Sequence, residues 1–139
     1  MTKWALSLGL VVIALAGCSS AQESAASRDY RFELVDHRVG VGRDTGLRVR
    51  LVRAADGQPV RGAVFTAHRF EMWMSGFKVA SSLMVEGRAP VSVMSTEEAD
   101  GVYLIHAVLP MAGSWDAVLT AVVPGTEAPV QGVVRFVAR

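Results

Sequence analysis

Sulfur and imidazole carry the chemistry this sequence has to offer. Of six methionines, five lie beyond Met1, at Met72, Met74, Met84, Met94 and Met111, and the three histidines are His37, His68 and His106. Met72-Trp73-Met74 is an M-x-M pattern. On a strand, residues two apart share a face, so the two thioethers would stand roughly 6.5 to 7 Å apart at the backbone. Thioethers are soft, uncharged donors that select Cu(I) over hard cations, and imidazole can complete such a site. A continuous strand would also put His68 and Phe70 on that face, one nitrogen and two sulfurs in a row with a ring between. Methionine is also a common filler of cores, and two buried side chains are the plain alternative. His106, between Ile105 and Ala107, reads as a hydrogen-bonded sheet residue, and His37, after Asp36, as solvated.

Other chemistries find no residues to carry them. There is no G-x-S-x-G elbow, no phosphate-binding G-x-x-x-x-G-K loop and no H-E-x-x-H, and Cys18 is the single cysteine. Glu97 and Glu98 are adjacent and run into Asp100-Gly101. Strand neighbours point to opposite faces, so these two acids read as a solvated turn and not as a carboxylate dyad. The expectation is a protein that is not an enzyme. Fourteen basic residues against thirteen acidic ones give a formal charge of +1, which offers no electrostatic footprint for nucleic acid.

The beginning of the chain has a different character. Met1-Thr2-Lys3-Trp4 precedes an apolar run over residues 5–16 and then Gly17-Cys18-Ser19-Ser20, the layout of a secretory signal. Leu15-Ala16-Gly17-Cys18 resembles the lipobox of bacterial lipoproteins. That resemblance implies a signal peptide over residues 1–17 and a diacylglycerol thioether on Cys18 that holds the protein to a lipid bilayer. Ser19, in place of Asp, points to the outer membrane and a domain facing the periplasm. Residues 18–28 are small and polar, a flexible tether, and residues 29–139 remain for one domain.

That domain alternates with period two. Tyr30, Phe32 and Leu34 form one series and Leu47, Val49 and Leu51 another, each a strand with one buried face. Glycine and Asp mark reversals at residues 40–46, 55–59, 100–101 and 124–126, and further strands are expected at 63–69, 91–94, 102–109, 114–122 and 130–137. Seven or eight short strands in about 110 residues predict an all-β fold, an immunoglobulin-like antiparallel β-sandwich. Its core would draw on Phe32, Leu34, Val49, Leu51, Val64, Leu104, Trp115, Leu119 and Phe136. Residues 70–84 also match a helical face through Phe70, Trp73, Met74, Phe77 and Met84. Ser75, Gly76 and the Ser81-Ser82 pair oppose a helix, and strand, loop, strand is the preferred reading.

Three segments in order carry a family likeness. They are Asp56-Gly57-Gln58-Pro59-Val60-Arg61-Gly62-Ala63, then Gly101-Val102-Tyr103, then Pro110-Met111-Ala112-Gly113-Ser114-Trp115. Their D-G-x-P-V-x-G-A, G-x-Y and P-M-x-G-x-W patterns resemble the FixH/YtkA-like domain family of exported or membrane-anchored bacterial proteins. The resemblance implies a sandwich in the cell envelope linked to copper handling, either supply of copper to respiratory oxidases or companionship to metal efflux. Met111 matches the methionine of the P-M-x-G-x-W turn, while Met72, Met74 and Met84 match a methionine-bearing stretch in type. The candidate Cu(I) ligands are therefore Met72 and Met74, joined by Met84, Met111, His68 or His106. The competing expectation is a metal-free interaction module in which Trp73 and Phe77 present an apolar patch to an envelope protein. Cys18→Ala is expected to abolish labelling by radioactive palmitate and to release the protein from the membrane fraction; retained labelling would refute the lipid assignment.

Overall fold

The alternating pattern becomes eight strands in the computed structural model, which describes residues 25–80 and 95–139. After a one-turn helix, α1 (Ala25–Arg28), come β1 (Tyr30–Leu34), β2 (Gly42–Arg53), β3 (Val64–Met74), β4 (Phe77–Ala80), β5 (Ser95–Ala99), β6 (Val102–Leu109), β7 (Gly113–Val122) and β8 (Val130–Ala138). They form two four-stranded sheets, ordered β1-β2-β6-β5 and β4-β3-β7-β8, with every strand pair antiparallel. Lettered along the chain, these are A-B-E-D and C′-C-F-G, the strand order of an immunoglobulin-like sandwich.

The inner faces supply the core. Along β6, Tyr103, Ile105, Ala107 and Leu109 are buried in strict alternation, and on β7 Trp115, Ala117, Leu119 and Ala121 are closed to solvent. Phe32, Val49, Leu51 and Phe136 join them as expected. Leu34 is partly buried at the margin. Two expected core residues face outward. Leu104 has the opposite phase to Tyr103 and Ile105 and is half-buried, and Val64 is 61% exposed. In β3 the inward residue is Phe65, and a register shift between Phe65 and Ala67 then resets the phase. His68, Phe70 and Met72 consequently share the inner side.

Other boundaries moved for reasons that sequence could not supply. Residues 42–46, expected as part of a reversal, are already the start of β2, where a shift between Gly42 and Thr45 absorbs the glycines. Glu97 and Glu98 belong to edge strand β5 and not to a turn: Glu98 accepts from Arg48 Nε at 2.8 Å and Glu97 from the Gly62 N–H at 2.9 Å. The hydroxyl of Tyr103 donates to the Val60 carbonyl at 2.7 Å and accepts from the Ala63 N–H at 3.0 Å, fastening the β2–β3 connection to the core. The tether expected through residue 28 is docked earlier than that. Ser27 is 4% exposed and its hydroxyl accepts from the Gln131 N–H at 2.9 Å.

Strand, loop, strand holds from Phe70 to Ala80. Ser75 and Gly76 turn β3 into β4 with φ of 47° and 90°, the positive pair that a two-residue hairpin needs and a helix forbids. Residues 81–94, with Met84, Met94 and the strand expected at 91–94, lie outside the described residues, as do Cys18 and the apolar leader. The antiparallel registers give the sandwich two distinct ends. The chain enters beside the β2–β3, β5–β6 and β7–β8 connections, and the β1–β2 connection, the β3–β4 hairpin and the β6–β7 turn lie at the far end, about 30 Å away for strands of this length.

Gly113 opens β7 at that far end with φ of 144°, and a Cβ there would collide with Met72 Cε. Gly113→Ala therefore forces strained backbone and displaces Met72 together. We expect a loss of about 1 to 3 kcal/mol in urea denaturation, chiefly from the strained backbone; an unchanged midpoint would contradict this packing.

Candidate functional site

The far end gathers exposed thioethers and aromatic rings. Met72 pairs with Trp115 across β3 and β7 and, at 8% exposure, closes over Gly113 as a core residue. Two residues further along, Met74 emerges at 37% exposure, and pairing carries it opposite Phe77, itself 59% exposed. Continuing the register by the same two residues reaches Gly113, with Met111 in the turn just beyond, 40% exposed. The turn is not loosely held. Trp115 Nε1–H, from a fully buried indole, donates to the Met111 carbonyl at 3.1 Å. The core thus fixes the backbone that presents the Met111 side chain.

Trp73 has the opposite phase and faces outward from the β4-β3-β7-β8 sheet, 54% exposed. Its cross-strand partner Lys78 places Nζ 5.5 Å from the indole centroid. The same ammonium reaches Asp116 Oδ2 at 3.0 Å and Glu71 Oε2 at 3.5 Å. Asp116 is 2% exposed although it lies on the outer side, because Arg135 covers it with contacts of 2.8 and 3.3 Å. The Arg135 hydrogen bonds chiefly, against the opposing cost of burial and with help from Lys78, hold its carboxyl down at about 2. Sequence reading passed over this cluster. Asp116 interrupts an otherwise apolar strand, which is a signal of sorts, but its cations come from strands distant in sequence.

The histidines stand elsewhere. His68 shares the inner phase of β3 but lies four residues from Met72, about 13 Å along the strand. Its ring packs on Phe70 with centroids 5.3 Å apart, Nδ1 is buried without a hydrogen-bond partner among the described residues, and burial lowers its pKa. His106 is on the outer side of the other sheet, where Nδ1 meets Asp44 Oδ1 at 2.6 Å. The structure therefore brings Met72, Met74 and Met111 to one end, two of them exposed, and leaves His68 and His106 apart from them. Met84 lies outside the described residues. Among the described residues no group of three His, Cys, Asp or Glu is placed to hold a metal ion.

Two antiparallel sheets in immunoglobulin order, packed without a disulfide and closed by a P-M-x-G-x-W turn, define the class: an immunoglobulin-like β-sandwich domain. Within it, the chain belongs to the YtkA-like family, whose sequence pattern matches residues 24–120. The match runs from the docked N-terminal turn into β7, and β8 lies beyond it. No curated protein and no solved structure matches the chain. No helix among the described residues is long and apolar enough to cross a membrane.

The Asp116 cluster sets a pH response. Its folded pKa is depressed from 3.8 to about 2, so the stabilisation is complete above about pH 4 and disappears as pH falls towards 2. Thermal melts should show a loss on the order of 1 to 2 kcal/mol across that window, the exposure of Arg135 screening the remainder. Asp116→Asn should flatten the same window. A wild-type profile as flat as the variant's would contradict the assignment.

Proposed function

We propose that this YtkA-like protein is a non-catalytic module of the bacterial envelope, anchored through Cys18 to the outer membrane and facing the periplasm, that carries Cu(I) as cargo on its far end. The observation supporting this most is that Met74 and Met111 are both exposed at the end opposite the chain's point of entry. A chain tethered at residue 18 and docked at Ser27 has that end pointing away from the bilayer, where a partner in oxidase assembly or metal efflux could reach it. Met72 contributes packing beneath them and is not a ligand in this reading. Soft, neutral donors suit Cu(I) and bind hard cations poorly. Few ligands at an exposed site make the binding weak, which fits transfer better than storage.

Anaerobic titration of the detergent-solubilised protein with Cu(I), against a chromogenic competitor, tests the assignment. Met74→Leu/Met111→Leu should weaken binding by about tenfold or more, about 1.4 kcal/mol, and Met72→Leu should leave it unchanged. Equal affinity of the double variant and the wild type would remove the site.

A metal-free contact surface is the second reading, favoured by one specific fact. Trp73 and Phe77, at 54% and 59%, are the most exposed large hydrophobic side chains at this end among the described residues. Crosslinking to an envelope protein that disappears in Trp73→Ala, in protein that melts normally and with Cu(I) absent, would favour it.

A further inference from the structure

Thioethers have a second chemistry besides holding soft metal. Two-electron oxidants convert them to sulfoxides, and the rate follows the oxidant's access to sulfur. The fold sorts its three described methionines on that ground. Met74 and Met111 are 37% and 40% exposed, whereas Met72 is 8% exposed, with Sδ and Cε both lying against Gly113. Met72 belongs to the core cluster and the other two do not.

The backbone around the exposed pair accommodates a larger, polar tip. The turn that carries Met111 is held through its carbonyl, which accepts from the buried Trp115 indole at 3.1 Å, so the side chain can change without loosening the turn. Met74 ends β3 opposite Phe77 at the hairpin, and both side chains are exposed. A sulfoxide oxygen at either place stays in water. At Met72 the same oxygen would have to enter the packed core beside Gly113, where burying a polar group is costly. The chain also holds no dithiol of its own to reverse the change, since Cys18 is its single cysteine.

We infer that Met74 and Met111 are reversible sulfoxidation sites, modified by hydrogen peroxide or a hypohalous acid while Met72 is spared, and that the modification switches off the soft-donor end. A sulfur lone pair attacks a peroxide oxygen, the S–O bond forms as the O–O bond breaks, and the departing hydroxide takes the remaining proton as water. With hypochlorous acid the leaving products are chloride and a proton. Sulfur loses two electrons in either case, and the lone pair that a soft metal would use is committed to oxygen. Reversal needs a sulfoxide reductase that supplies two thiols, returning the thioether with a disulfide and water. The consequence for copper rests on the cargo reading proposed above, whereas the order of oxidation rests on exposure alone.

The test treats the full chain in detergent with hydrogen peroxide and follows sulfoxide at each methionine by tandem mass spectrometry, which separates Met72 from Met74 within one peptide. In the folded protein Met74 and Met111 should react about tenfold or more faster than Met72, and in concentrated urea the three rates should fall within about twofold of one another. A Met84→Leu/Met94→Leu chain keeps those two thioethers out of the binding readout. With Met74 and Met111 oxidised, that chain should melt within about 2 °C of its untreated form and bind Cu(I) about tenfold or more weakly. Sulfoxide reductases of both stereospecificities with a dithiol should restore the affinity. Met72 reacting as fast as the other two in the folded protein, or full Cu(I) affinity with both sulfoxides in place, would overturn the proposal. An untreated chain that binds no Cu(I) would instead overturn the cargo reading and the switch built on it, and the order of oxidation would still be decided by the three rates.

Discussion

The buried indole of Trp115 does two jobs that the rest of the molecule depends on. It fills the centre of a core that has no cysteine to staple its sheets, and through Nε1–H it holds the Met111 carbonyl. Opposite it, Met72 occupies the space that Gly113 leaves by having no side chain. The P-M-x-G-x-W segment is thus a mechanical link. Its tryptophan is core, its glycine makes room, and its methionine is presented outward at a fixed place. Burial of large apolar groups is what this small sandwich has available to stabilise it, and the same burial aims the exposed sulfurs.

Much of this was legible in the sequence because period-two alternation is a direct imprint of two packed sheets. Tyr30 to Leu34, Leu47 to Leu51 and Val130 to Val137 are readable without any structure, as is the meaning of Ser75-Gly76 between two strands. What escaped was phase and register. Val64 and Leu104 are apolar residues at strand positions that alternation alone assigns to either face; a bulge near Phe65 and the inward Tyr103 decided against them. Glu97 and Glu98 looked like turn residues because an edge strand can be as polar as a turn.

The ligand set shows the same limit more sharply. Placing His68, Phe70, Met72 and Met74 on one face was correct geometry, yet sharing a face is not sharing a neighbourhood: His68 lies mid-strand against Phe70. His106 belongs to the other sheet, paired with Asp44. The β3–β7 register, which sequence does not give, places Met74 and the turn that carries Met111 at the same end of the sheet. Asp116 was missed for a related reason. A lone acid in an apolar strand becomes intelligible once Lys78 and Arg135 are known to flank it.

The central claim is that Met74 and Met111 receive Cu(I) together while Met72 remains structural. The most direct measurement is the NMR spectrum of the protein labelled with carbon-13 at the methionine methyl groups, followed as Cu(I) is added without oxygen. The account predicts that the Met74 and Met111 methyl signals move together and saturate at the same copper concentration, with Met72 unmoved. Movement of Met72 first, or no movement of Met74 and Met111 at concentrations where copper is bound, would contradict it.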